Sequence, residues 1–294
     1  MTRGMLAVAL LLVPAALATA QTGPITVRLS PTPNQTIRTH TSQETKMTSE
    51  QDPAPAGQAI PPQNLDMTLT ADTTSTVGQT DAQGRYEAHV VCDTAISTTT
   101  INGKPMANPP NAKVAGMAFT FVYDDQGKVI DVTADSGLAS EAVAAIKQML
   151  TTAMSTPAPL TLAVGETTTV RDPLKPPLSP AAVPGPIGEF SMTGETRYTL
   201  TAITFDGADR IAHLTTTKSI TLSRGPSAAP GSDVTFDERI SGDGTLDVNI
   251  DRGIMLHSGQ QLIIDGTLHM SARGAPAPSM RMHGTTTITS DVLK

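Results

Sequence analysis

The residues of this 294-residue chain that could do chemistry are few and widely spaced. Its six histidines, His40, His89, His213, His257, His269 and His283, match no compact metal-ligand spacing. Adjacent strands would be needed to bring His257, His269 and His283 together, and a strand-surface position for each is the simpler expectation. Oxygen ligands crowd only at Asp243, Asp247, Asn249 and Asp251, a set that invites a calcium reading. Yet Asp247, Asn249 and Asp251 alternate, so in a strand they line one extended face over roughly 13 Å, at about 3.3 Å per residue. A calcium loop must instead curl its ligands around one point, and a solvated strand face is expected here.

Glu44, Glu166, Glu189, Glu195 and Glu238 are dispersed, and no spacing pairs two of them as acid and base. The single cysteine, Cys92, follows Val90-Val91 and is expected as a small apolar core residue, with a reactive thiol or an intermolecular bridge as the alternatives. No nucleophile elbow, zinc-protease pair, phosphate loop or dinucleotide fingerprint occurs. No catalytic, cofactor-binding or metal site is therefore assigned from the sequence, and the expectation is a protein that is not an enzyme and takes no cofactor. The methionines stand apart. Met67, Met117, Met149, Met154, Met192, Met255, Met270, Met280 and Met282 fall largely in apolar-periodic segments, where Met either fills a core or lines an adaptable apolar cleft.

Charge and export narrow the classes further. Arg3, the apolar run Met5–Val13 and Ala18-Thr19-Ala20 have the form of a secretory signal cleaved after Ala20. Gln21 stands where a lipid-accepting Cys would have to be, so a soluble periplasmic or secreted protein is expected. Loss of residues 1–20 removes Arg3 and takes the net charge from −7 to −8. Such a balance argues against nucleic acid, whose binders cluster Lys and Arg to displace counterions. No later segment has the apolar length of a helical membrane span. One cysteine allows no internal disulfide, so the core alone must hold the fold.

The elements that would position these residues are mainly strands. Aromatics make up 3% of the chain, with no Trp, while Thr and β-branched aliphatics abound, and these suit a pleated, half-solvated surface. The lack of Trp also counts against a sugar-stacking lectin. Alternation marks strands at Leu65–Leu69, Tyr86–Val90, Met117–Tyr123, Ile220–Leu222, Leu246–Ile250 and Leu268–Met270. Gly127 after Asp124-Asp125, and Gly253 after Asp251-Arg252, offer hairpin turns. From Leu138 to Met154 the period changes to three and four, behind the N-cap candidates Asp135 and Ser136, which predicts one amphipathic helix over 138–154.

Proline-rich stretches at Gln51–Pro62, Lys104–Ala112, Asp172–Gly188, Arg224–Gly231 and Arg273–Ser279 are expected as loops. They divide the chain into an N-terminal β half (21–156, with the helix) and a C-terminal β half (157–294), the long Pro-rich loop 172–188 lying near the boundary. The two halves look like copies of one plan. Gly84–Val90, Phe119–Tyr123 and Lys128–Val132 answer to Asp209–Leu214, Thr245–Ile250 and Gly253–His257.

Glu195–Ile203, Arg210–Thr215, Gly242–Val248, Asp251-Arg252-Gly253 and Leu162–Glu166 resemble a group of uncharacterised exported bacterial β-rich proteins of unassigned activity. The resemblance covers chiefly residues 160–290. Its plan is similar to that of the open, curved antiparallel sheets of periplasmic lipoprotein carriers, in which a helix closes an apolar concavity. Two marks of that group, a lipobox Cys and a Trp after the Gly-Glu pair, are missing here, and no functional residues carry over. The expectation is a mainly β (α+β) fold, a curved antiparallel sheet or half-barrel of meanders with one helix. The leading function is a non-enzymatic envelope protein that binds a lipid, another apolar ligand or an envelope partner. A structural or adhesive envelope component, and a hydrolase whose residues meet only in the fold, are the alternatives.

Overall fold

The computed structural model describes residues 23–52, 61–106, 115–125, 127–134, 159–172, 190–224, 232–272 and 275–293. The signal expected at 1–20 and the helix expected over 138–154 lie outside the described residues, and within the described residues every regular element is a strand.

Short stretches of polar-apolar alternation, prolonged by Thr-rich runs, build the strands. The N-terminal part supplies β1 (Ile25–Val27), β2 (Thr36–Asp52), β3 (Gln63–Val77), β4 (Tyr86–Ile101), β5 (Lys104–Pro105), β6 (Ala118–Tyr123) and β7 (Val129–Ala134). The C-terminal part supplies β8 (Leu160–Leu162), β9 (Thr167–Asp172), β10 (Phe190–Asp206), β11 (Asp209–Arg224), β12 (Ser232–Asn249), β13 (Ile254–Ala272) and β14 (Ala275–Val292). Strands of 15 to 19 residues dominate, far above the usual five or six, and run roughly 50–60 Å at about 3.3 Å per residue. The apolar alternation in the sequence marks only short pieces of them. Thr, Ser, Gln and Gly runs such as Thr215–Ser219 and Thr285–Ser290 extend the ladders, because branched or small polar residues fit a pleated surface open to water on one side.

All pairings are antiparallel, and the main sheet runs β7-β6-β4-β3-β2-β14-β13-β12-β11-β10-β9, with β5 added to β4. Two meanders thus share one sheet, joined where β14 pairs β2 from Ser279↔Asp52 to Val292↔Thr39. β7 and β9 are its two edges, so the sheet is open rather than a closed barrel. Register shifts at Asp72/Thr73, Leu200/Ala202, Asp247/Val248 and His269/Ser271 coil it, since a bulge raises the local twist.

One loop expectation is corrected. Of the stretch expected as a loop, Ala275–Ser279 is strand, with Ser271 opposite Pro276 and Ala272 opposite Ala275. Among the described residues β14 pairs β2 from Ser279 onward, so the prolines there interrupt no described ladder on that side.

Two apolar clusters hold the curl at one end. β1 and β8 pair with each other and pack Ile25, Val27, Leu160 and Leu162 against Leu200, Ala212, Leu214 and Val248 of the main sheet. At the far end of the strand order, Val77, Tyr86, Ala88, Phe121, Tyr123, Val129 and Val132 form the second cluster. Tyr86 and Tyr123 stack there with ring centroids 4.9 Å apart. The stretch between β1 and β2 spans the two clusters: Arg28 donates to the Asp125 carbonyl, and Asn34 and Gln35 exchange backbone bonds with Val77.

Candidate functional site

Alternation along these strands sorts the side chains onto two unlike faces. The inner face carries Leu65, Met67 and Leu69 on β3, Ile220 and Leu222 on β11, Leu262 and Ile264 on β13 and Met282 and Ile288 on β14, all half-buried. The opposite face carries Glu44, Lys46, Asp66, Arg239, Asp243, Asp265 and Arg281, all exposed. The apolar face is the concave one, because Tyr86, Ala88 and Tyr123 near one edge of the sheet and Thr196 and Tyr198 near the other line a single cavity.

That cavity has a volume of about 410 Å³, within the usual range of ligand sites. Leu29, Pro31, Ile37, Val77, Leu246, Ile254 and Met255 supply apolar wall, and Thr39, Ser75, Thr216, Ser258 and Gln260 supply polar points. Burial pushes the Tyr123 hydroxyl up to about 12 and raises Tyr86 likewise, so both stay neutral, as a dry wall requires.

Lys218 reaches into this cavity from β11. Its Nζ donates to Gln260 Oε1 on β13 at 3.2 Å, across the intervening strand β12. Gly242 and Gly244 are the β12 residues opposite Lys218 and Gln260, so no side chain stands in the way. A Cβ at Gly244 would meet Thr216 Oγ1 at 2.9 Å and strike the Gly259 carbonyl. Burial lowers the Lys218 pKa, and none of the described carboxylates offsets the effect. Among the described residues the concave face holds one carboxylate, Glu238, opposite Leu222, four residues along β11 or roughly 13 Å from Lys218. Burial raises its pKa too.

The convex face carries a polar row instead. His213 (β11), Asp247 (β12), His257 (β13), Asp291 (β14), His40 (β2) and Asp72 (β3) are successive cross-strand partners over six adjacent strands. Nδ1 of His213 lies 2.7 Å from Asp247, that of His257 2.6 Å from Asp291, and that of His40 2.7 Å from Asp72. Thr204 at His213 Nε2 and Thr94 at Asp72 Oδ2 end the row.

The residues singled out in the sequence are therefore placed but not gathered into one site. His257, His269 and His283 do not converge: they face Asp291, Ser279 and Asp265 respectively, and His89 lies against Thr120. No group of three potential metal ligands forms among the described residues. Asp243 accepts from Thr217, Asp247 takes His213, buried Asn249 ties Asp209 to the Arg252 amide, and Asp251 takes Arg210. Glu44 pairs with Lys46, Glu166 accepts from the Ala163 amide, and Glu195 bridges Arg171 and Arg197, while Glu189 lies outside the described residues. Cys92 is buried and free, and burial pushes its thiol up, away from the reactive thiolate. Met255 lines the cavity and Met67 and Met282 continue its apolar face; Met149 and Met154 lie outside the described residues. Lys218 was invisible to motif reasoning, for its only signal is a lone cation in the inward register of an alternating strand.

No protein-family model matches the chain, and no curated protein is similar to it in sequence. Among solved structures it overlaps Pseudomonas aeruginosa OpdQ, with TM-score 0.25, 6% identity, and coverage of 88% of this chain and 98% of that one. An outer membrane channel from Pseudomonas putida F1 overlaps at TM-score 0.21, 7% identity, and coverage of 90% and 98%. Likeness at this level defines no shared fold.

Proposed function

We propose that this is a non-enzymatic, exported envelope protein that holds an apolar ligand, an acyl chain above all, on the concave face of its open sheet. The observation that carries the reading is the cavity of about 410 Å³ between the Tyr86–Tyr123 stack and Tyr198, walled by Leu29, Ile37, Val77, Leu246, Ile254 and Met255. Burying an acyl chain there removes apolar surface from water on both sides, at about 25 cal/mol per Å² before ordering costs. A membrane barrel distributes polarity the other way, with its apolar band outward. Here Asp265, Arg281, Thr285 and Thr287 face outward. The arrangement is similar in plan to the open sheets of periplasmic lipoprotein carriers, and the signal at residues 1–20, cleaved after Ala20, would deliver the protein to the same compartment.

The test is organic extraction and mass analysis of protein purified from a bacterial periplasm, paired with native mass spectrometry. An acyl lipid at near-equimolar occupancy, reduced in a Thr39→Trp variant that fills the cavity, is the expected result. Lipid-free protein that also fails to take up added fatty acid or fatty alcohol would overturn the reading.

A further inference from the structure

We infer that the ligand is an anionic amphiphile, a fatty-acid carboxylate, whose head group is received by Lys218 and Gln260 while its tail lies along the concave face. This rests on the apolar-ligand reading above and specifies its chemistry. An ammonium withdrawn from water needs an opposite charge close by, or it is destabilised by its lost hydration. Lys218 has been given a neutral amide instead: its ammonium donates to Gln260 Oε1, and among the described residues the one carboxylate of the concave face, Glu238, stands roughly 13 Å down the sheet.

The surroundings are arranged to keep that cation in place and approachable. Gly242 and Gly244 remove the side chains that would lie beneath the Lys218 stem on β12. With Oε1 engaged, the Gln260 amide nitrogen remains a donor, and Thr196, Thr216 and Ser258 add hydroxyls on the same cavity wall. One ammonium and neutral donors match one carboxylate in charge and hydrogen-bonding sense. A doubly charged phosphate monoester would bury a charge without a partner. One step further along the sheet Ile220, Ile240 and Ile264 form a cross-strand row that offers the tail apolar contact beyond the head.

Titration calorimetry with sodium oleate and with oleyl alcohol, which share a tail and differ in charge, tests this on the mature chain. Wild-type protein should bind oleate at least about tenfold more tightly than the alcohol, the scale of one charge-assisted hydrogen bond. Lys218→Met should bring the two within about twofold by weakening oleate the more, and Lys218→Arg should keep the preference. Gln260→Leu, which leaves the cation but frees its position, should reduce the preference and serves if Lys218→Met does not fold. Equal binding of oleate and alcohol by wild type, or a preference that survives Lys218→Met, would overturn the head-group assignment and leave the groove standing. Tighter binding of a phosphodiester, dioleoylphosphatidylglycerol, that depends on Lys218 would overturn the carboxylate. Failure to bind any of the three would remove the groove reading itself.

Discussion

Asp291 on β14 stands opposite His40 on β2, in the ladder where the last strand of the chain pairs with the first long one. The convex row of alternating histidines and aspartates crosses this joint, and on the inner face Thr45 and Thr286 bond hydroxyl to hydroxyl at 3.0 Å, so polar cross-strand pairs tie the two meanders on both faces. Each Nδ1–H committed to a carboxylate fixes the ring, and at His213 it leaves Nε2 to accept from Thr204.

A double-mutant cycle on His257 and Asp291 is expected to return a coupling of about 0.2–1 kcal/mol, the scale of exposed pairs and cross-strand contacts. Both side chains are more than a third exposed, which keeps the figure at that scale. Urea unfolding of the two single variants and the double variant measures it, and strictly additive effects would show that the row is only a pattern.

Acid should act on the turn cluster at the cavity end. The Arg210 side chain, and then its backbone amide, hold the Asp251 carboxyl below its ordinary value of 3.8. A carboxyl depressed on folding contributes stability that is full above its unfolded pKa and is lost as pH falls through the folded one. Wild-type protein should therefore lose stability below about pH 4 more steeply than Asp251→Asn, while the variant is the less stable of the two at pH 7. Thermal unfolding between pH 2 and 7 would show it, and parallel curves would contradict it.

Gly253 turns the chain between β12 and β13 at φ +64°, and a Cβ there would strike the Ser30 carbonyl. Gly253→Ala is expected to destabilise by about 1–3 kcal/mol from the left-handed conformation alone. The displaced Ser30 lies between Leu29 and Pro31 of the cavity wall, so oleate affinity should fall with stability. A variant of unchanged melting temperature would mean that the N-terminal segment does not press on this turn.

Cys92 is 7% exposed, and its Sγ lies 3.4 Å from the Thr94 carbonyl. Its thiol should resist Ellman's reagent in the native protein at pH 8 and react fully in denaturant. Rapid native labelling would revive a reactive or intermolecular role for it.

Strand existence was legible from alternation at Leu65–Leu69 or Leu246–Val248, because period two is a local property of the backbone. Strand length was not, since Thr-rich runs such as Thr285–Thr287 carry no apolar period and prolong the ladders only when partners are already aligned. Pro276 shows the same limit: proline excludes a two-sided ladder, and whether a position has one or two neighbours is decided by distant strands.

The amino-acid sequence by itself determined a β-rich chain with no internal disulfide and without a catalytic motif, because each of these follows from residue type or short-range spacing. It also named Met255, Met67 and Met282 as residues of an apolar cleft or core, without separating the two. Only the tertiary structure decided that the meanders join through β14 and β2, that the apolar face is the concave one, and that Lys218 meets the Gln260 amide inside it. These relations link residues tens to hundreds of positions apart, and sheet register, which no local pattern encodes, sets them.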